Sequence, residues 1–460
     1  MSSKNYPQFI KVNPKIFLKH FINKSNANNL LVRIIIYILI SVIYYRLMDA
    51  NSSLGIEWRP FHEDRVINAV QNIFNNNYLL KFGLTSWEKI DINSLGETQL
   101  YLYLVPAITY LHYIPLIKIL PNMEIVQYGP FLDYLFISSV GILVAELAIF
   151  ILGKEKSNSN IIISSEAFIL FITAPWTYRM MLAPWSDVPY LGFMLTALLL
   201  FRYKKNKLGL ISILIAGLCN FIWSFFIFSF NIIIYIFVKL NISSKQRLNE
   251  VMPPYLSKNN EGIYYKLVLL LPTLIYFTQL NLAKYSTFGI IHNGSSSLFR
   301  IGIDSYQNIH HGGFLSSLQF LGGNRLSVCL SNQDLSILMR NIASFNCIMS
   351  ISGLTIISLF SIVGIFILIK SDINSRWLLL PISWSFILYI MLFQQGSAVH
   401  LQGYSFVFSF LFTIGILKCL DIISKKLAKK DSLGFIFLLP IFIGIILTSI
   451  RVSFLTGING

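Results

Sequence analysis

Apolar runs of about twenty residues recur from the first fifty residues to the last thirty, and no other feature restricts the fold of this chain as severely. Each run is long enough to cross about 30 Å of hydrocarbon as a helix. The composition agrees: 55% of residues are hydrophobic and 12% charged, where ordinary soluble domains carry about 25% charged residues. The expected fold is all-α, a polytopic transmembrane helical bundle. A net charge of +16 would suit a nucleic-acid binder, but the basic residues sit in short clusters between the apolar runs. Lys and Arg collect in this way in cytoplasmic loops, so the charge reports topology and no nucleic-acid partner is expected. The four cysteines, Cys219, Cys329, Cys347 and Cys419, have no metal or redox spacing; a disulfide is open only to Cys329 with Cys347, and none is expected. No cleavable signal pattern precedes the first run, which is expected to remain as a helix. Asn-Xaa-Ser matches at Asn51, Asn241 and Asn293 are too common to carry weight alone.

Charge places the loops. Lys4, Lys11, Lys15, Lys19, Lys24 and Arg33 precede or open the first span, about 31–48, which makes the N-terminus cytoplasmic. The next segment, 49–130, is then extracytoplasmic. Within it, 99–117 is apolar enough to count as a span. If it crossed, however, Lys154 and Lys156 would emerge outside after the run 131–152. It is therefore expected to be a helix lying in the interface or dipping back, a depth that suits Tyr101, Tyr103, Tyr110 and Tyr113. The remaining spans are expected at 161–174, 188–201, a hairpin of two short helices within 208–238, 264–283, 346–369, 376–393, 401–418 and 433–450. The total is about eleven crossings, with every basic cluster inside. The expected organisation is a tail over 1–30, a transmembrane module over 31–283 carrying the outer loop 49–130, an outer loop over 284–345, and C-terminal helices over 346–460. Loops of such length usually carry function.

Two stretches concentrate chemistry at the outer edge. The first is Arg59-Pro60-Phe61-His62-Glu63-Asp64-Arg65, followed by Val66, Ile67, Val70, Ile73 and Phe74 at helical spacing. On a helical wheel Glu63 falls within that apolar stripe, while Asp64 lies about 100° away on the flank of Asn68 and Gln71. The pair either presents a reactive carboxylate with its partner or simply offsets the positive end of a helix dipole. The second stretch is Ala174-Pro175 through Ser186-Asp187-Val188-Pro189, a short outer turn between two runs. An ionisable group one residue before a span is costly unless paired or functional. Asp187 therefore either caps the next helix, with Pro189 in its first turn, or takes part in a site; the two roles are compatible. Within 131–152, Asp133 and Glu146 are intramembrane acids, and Glu146 is expected to face the bundle interior and pair with a helix neighbour.

An acidic pair after the first span, a long first outer loop with the Pro-aromatic stretch Tyr103-Leu104-Val105-Pro106, and a Pro-to-acid turn between the third and fourth spans together resemble the GT-C superfamily. These are integral membrane glycosyltransferases, and the closest likeness is to the protein O-mannosyltransferase-like and lipid-anchor (GPI) mannosyltransferase-like branches. His62-Glu63-Asp64 is similar to the acidic motif of that first loop, and Ala174-Pro175 through Asp187 is similar to the second motif. The likeness covers about the first 200 residues. It departs in the order Glu-Asp and in having Asp187 where many relatives have Glu, which leaves open which carboxylate is the base. The resemblance implies transfer of a sugar from a polyprenyl-phosphate donor to an acceptor glycan, lipid or protein at the outer surface of the bilayer. Such a reaction needs a general base, here Asp64 or Glu63 with Asp187 nearby. It also needs cationic groups for the leaving phosphate, here Arg59, Arg65 and Arg179. A divalent cation, Mg2+ or Mn2+, is used by some members and not others, and Asp64 and Asp187 would hold it.

Later outer segments offer further donor contacts. Gly322-Gly323-Asn324-Arg325 is either a phosphate-binding turn or an ordinary one. Adjacent His310 and His311 face different ways on any regular element and make a poor metal pair. His400 and Tyr404, four apart in a polar turn, share a face if helical; His400 is either a contact to the lipid phosphate or part of a loop cap. Rival readings are a multi-span transporter or flippase, a cell-envelope glycan polymerase or ligase, and a scaffold without catalysis. A transporter would show internal repeats and broken helices near the midplane, whereas the acids here gather at one edge. A bacterial inner membrane is favoured over the endoplasmic reticulum by the lack of a retention signal.

Overall fold

The computed structural model describes residues 24–52, 68–73, 83–86, 104–113, 125–153, 160–182, 187–240, 261–288, 337–392, 406–427, 439 and 441–450. The helices are α1 Lys24–Ser52, α2 Ile125–Ile151, α3 Asn160–Thr173, α4 Pro175–Leu182, α5 Asp187–Arg202, α6 Asn206–Cys219, α7 Phe221–Lys239, α8 Glu261–Phe288, α9 Ile337–Ser371, α10 Ile373–Leu392, α11 Phe406–Leu427 and α12 Ile441–Ile450. Among the described residues five helices, those within α2, α7, α8, α9 and α11, are long and apolar enough to cross a membrane; α3, α6 and α12 are shorter apolar helices. The molecule is thus a helical membrane bundle, and the five qualifying helices are fewer than the eleven crossings expected from the sequence.

Helix α1 runs antiparallel to α2. Arg33, early in α1, donates two hydrogen bonds of 3.0 Å to the carboxylate of Glu146, late in α2, and Tyr37 Oη adds a third at 3.2 Å. Further along, Tyr134 Oη donates to the Ser41 carbonyl. The chain therefore re-enters the bundle on the face where α1 leaves it. Glu146 has the interior partner expected of it, but Arg33 is not the loop charge that the sequence suggests. It lies inside α1 and is buried, since an intramembrane guanidinium is tolerated only where a carboxylate meets it.

The described part of the first long segment is small and mixed in structure. Strand β1, Leu84–Ser86, pairs antiparallel with β2, Leu104–Pro106, and a 3-10 helix follows over Ala107–Tyr113. Over 104–106 this corrects the expected interfacial helix, while the fold as a whole remains that of an all-α membrane bundle. Ala107 N–H donates to the Gly83 carbonyl at 3.0 Å, so by the two-residue alternation of an antiparallel pair Pro106, which has no N–H, falls at a position facing away from β1. The helical stretch 68–73 lies on this ribbon: Thr85 Oγ1 donates to the Ala69 carbonyl at 2.7 Å, and Asn72 Nδ2 to the Ser86 carbonyl at 3.0 Å. Val70 and Ile73 are buried against Val105, Tyr110 and Tyr113, while Gln71 is exposed, as the helical stripe requires.

Helices α5 and α6 form an antiparallel pair, with Phe201 lying over Gly209 and Ser212 donating to the Phe193 carbonyl. From Asn220 the chain turns back along α8. Phe221 packs on Tyr276 and Phe277 at one end of α7, and Tyr235 lies beside Lys266 at the other. The hairpin within 208–238 is thus a V with Asn220 at its apex. The expected outer turn after α3 contains a helix of its own, α4. Pro175 opens it, because the first helical position has no donor to lose. Helix α11 is the central element. Within its apolar window 83% of residues are buried, against 28% for α8, and Trp176 meets Phe408 and Phe412 edge-on. It crosses α9 in backbone contact at Gly415 and Gly364. Small residues allow such an approach where lipid removes any hydrophobic drive for helices to associate.

One end of the bundle is basic. Arg202 lies over the Phe150 ring at 4.5 Å, Ser375 Oγ reaches the Ile151 carbonyl, and Lys239 and Lys266 flank Tyr235. The opposite end carries the 3-10 helix and the start of α5.

Candidate functional site

Asp187 is the first residue of α5 and is wholly buried. Its carboxylate does not act as a simple helix cap but reaches across to the apex of the V. Oδ1 accepts from Trp223 Nε1 at 2.5 Å and from Asn220 Nδ2 at 3.2 Å. Oδ2 is buried with no hydrogen-bond partner. Asn220, in extended conformation between α6 and α7, also caps α7 by accepting from the Ile222 N–H at 3.2 Å. Trp223 is held by stacking, with ring centroids 6.2 Å from Tyr190 and 4.9 Å from Tyr389.

The described part of the segment 49–130 docks on this apex. Thr109, buried in the 3-10 helix, donates to the carbonyl of Cys219, the residue before Asn220, at 3.4 Å. Tyr113 Oη donates to Asp133 Oδ1 near the head of α2, and Gly83 lies against Gln279 of α8. The chain that follows the acidic pair by a few residues, 68–73, is thereby tied through the ribbon to the element that holds Asp187. Glu63 and Asp64 themselves, with Arg59 and Arg65, lie outside the described residues, as do Arg325, His400 and Tyr404. Arg179 belongs to α4.

Asp187 precedes the expected span 188–201. Burial pushes its carboxyl up to about 7, opposed by the Trp223 hydrogen bond and by its own backbone N–H. Among the described residues no cation pairs with it, so these two hydrogen bonds offset the desolvation of the charged form only in part. Burial, together with the charge and hydrogen bond of Asp133, holds the Tyr113 hydroxyl far above its ordinary range. Asp64, which with Asp187 is expected to hold any divalent ion, lies outside the described residues. Among the described residues no three His, Cys, Asp or Glu side chains gather, and an indole N–H facing the carboxylate is a donor that cannot ligate a cation.

The partners of Asp187 carry no motif: Trp223 lies in the aromatic run Phe221 through Phe230, and the one usable signal in the sequence is a lone Asn220 between two apolar runs. Glu166 in α3 is a further acid within an expected span; it is buried, and its Oε2 has no partner.

No protein-family model, curated protein or solved structure matches the chain. The class that fold and composition define is a polytopic helical membrane protein.

Proposed function

We propose that the protein is a GT-C-type glycosyltransferase, moving a sugar from a polyprenyl-phosphate donor to an acceptor hydroxyl on the extracytoplasmic side of a bundle of about eleven spans. The observation that carries this reading is the placement of Asp187: a desolvated carboxylate with one free oxygen, at the face where the first outer segment docks. In the reaction the acceptor oxygen attacks the anomeric carbon, and its proton passes to a first-loop carboxylate, Asp64 or Glu63. The bond from that carbon to the phosphate oxygen breaks, with its electron pair leaving on the polyprenyl phosphate. Arg59, Arg65 and Arg179, with Arg325, His400 and Tyr404 from later segments, offset the charge on the leaving phosphate. Asp187 orients the acceptor from the bundle side. A base of raised pKa suits proton transfer near neutrality, which keeps Asp187 a candidate for that role too.

One observation favours the transporter reading instead. Glu166 is a buried intramembrane acid with a free oxygen, of the kind that lines ion and proton pathways. Purified protein incubated with labelled polyprenyl-phosphate sugars and candidate acceptors separates the two. Transfer by the wild type, lost in Asp64→Asn, is the expected result. Absence of transfer from every lipid donor would overturn the glycosyltransferase reading, and undiminished transfer by Asp64→Asn would remove the assigned base.

A further inference from the structure

At the basic end of the bundle two ammonium groups converge on one aromatic ring. Lys239 Nζ, at the end of α7, lies 5.9 Å from the Tyr235 ring centroid, and Lys266 Nζ, in the second turn of α8, lies 4.9 Å from it. The ring face attracts each cation, but the two cations repel one another, and among the described residues neither pairs with an acid. An anion at this rim would offset both charges. The surface beside the pair is apolar and open. Leu267, Leu271 and Leu274 share one face of α8 and are 53%, 41% and 55% exposed, leading from Lys266 towards the middle of the bundle. A paired positive charge at the rim above an exposed apolar strip complements an amphiphile with an anionic head. Lysine stems that lie along apolar surface while their charges reach the headgroup level are suited to this.

We propose that Tyr235, Lys239 and Lys266 form a headgroup site for an anionic phospholipid of the surrounding bilayer, its acyl chain lying along Leu267, Leu271 and Leu274. The site is independent of the transferase reading and lies at the end of the bundle away from Asp187. Juxtamembrane basic residues bind anionic lipid with an increment of about fivefold each, so loss of both lysines reduces binding about thirtyfold.

The test is native mass spectrometry of the full chain released from bilayers of phosphatidylcholine with a minority of phosphatidylglycerol. The wild type is expected to retain phosphatidylglycerol. Lys239→Gln/Lys266→Gln is expected to lose it, Lys239→Arg/Lys266→Arg to keep it, and the control Lys205→Gln/Lys207→Gln, on the same face, to keep it. Equal retention by the glutamine pair and the wild type would overturn the site. So would equal loss in the control, which would mean a diffuse surface attraction, or equal retention of phosphatidylcholine. Displacement of the lipid by millimolar inorganic phosphate would assign the two lysines to a free anion instead.

Discussion

Trp223 and Asp187 are joined by a 2.5 Å hydrogen bond from indole Nε1 to Oδ1, at a point where solvent does not reach the carboxylate. The bond links the head of α5 to the first turn of α7, and the stacked rings of Tyr190 and Tyr389 fix the indole plane. Trp223→Phe keeps an aromatic ring in the stack and removes only the donor. It is expected to lower stability by about 1–3 kcal/mol, the cost of leaving a buried acceptor without its charge-assisted partner. In an Asp187→Asn background the same substitution should cost clearly less. Thermal unfolding of the four proteins in detergent measures the coupling, and strictly additive effects would show that the bond contributes nothing.

Stability should depend on pH through Asp187. Its carboxyl is raised to about 7 in the folded protein, against about 3.9 for an unfolded aspartate. Between those values the folded state holds a proton that the unfolded state has lost, so this group favours folding most below about pH 4. Its contribution declines as pH rises to about 7 and is level above that. Subtracting the Asp187→Asn melting curve from the wild-type curve across pH 4–8 isolates the slope. A flat difference would contradict the burial of this carboxylate.

The pairing of Arg33 with Glu146 should be costly to break by halves. Glu146→Leu leaves a buried guanidinium unpaired and is expected to destabilise the protein by about 3–5 kcal/mol, whereas Arg33→Met/Glu146→Leu together should recover most of the loss. Detergent thermal stability again serves as the measurement. A double variant as unstable as the single one would argue that shape rather than charge fixes α1 on α2.

At the crossing of α9 and α11, a Cβ on Gly415 would overlap the Ser361 carbonyl, and one on Gly364 would overlap that of Gly415. Backbone cannot yield there as a flexible side chain could. Gly415→Ala is therefore expected to cost at least the 1–3 kcal/mol typical of overpacking, read as a lower melting temperature. Gly444→Ala, where nothing lies within 4 Å of the added atom, serves as its neutral control.

Leu111, exposed in the 3-10 helix, and Lys205, exposed at the turn between α5 and α6, lie at opposite ends of the bundle. Cysteines placed at these two positions should react with an impermeant maleimide from opposite sides of sealed vesicles. Labelling of both from one side would refute the assigned topology.

Much of the bundle was legible in the chain because its solvent is hydrocarbon. A run of apolar residues in lipid has to satisfy its own backbone, so α2, α7, α8, α9 and α11 follow from length and composition. Short-range pattern was equally readable in 68–73, where Val70 and Ile73 point into the fold and Gln71 out of it. The stretch 99–117 misled because an apolar segment rich in tyrosine has the composition of an interfacial helix. Only the pairing of β1 with β2 around Pro106 decides otherwise, and β1 lies about twenty residues upstream.

What the sequence determined by itself is the class of solvent, the basic end of the bundle and the need for partners at Glu146 and Asp187, since these depend on residue type and on order along the chain. Which residues answer that need was decided by tertiary structure. Arg33 is 113 positions from Glu146, and Trp223 is 36 from Asp187. The physical reason is that local spacing fixes which way a side chain faces, whereas the partner of a buried charge depends on which helices come to lie side by side, and that is settled only when the whole bundle packs.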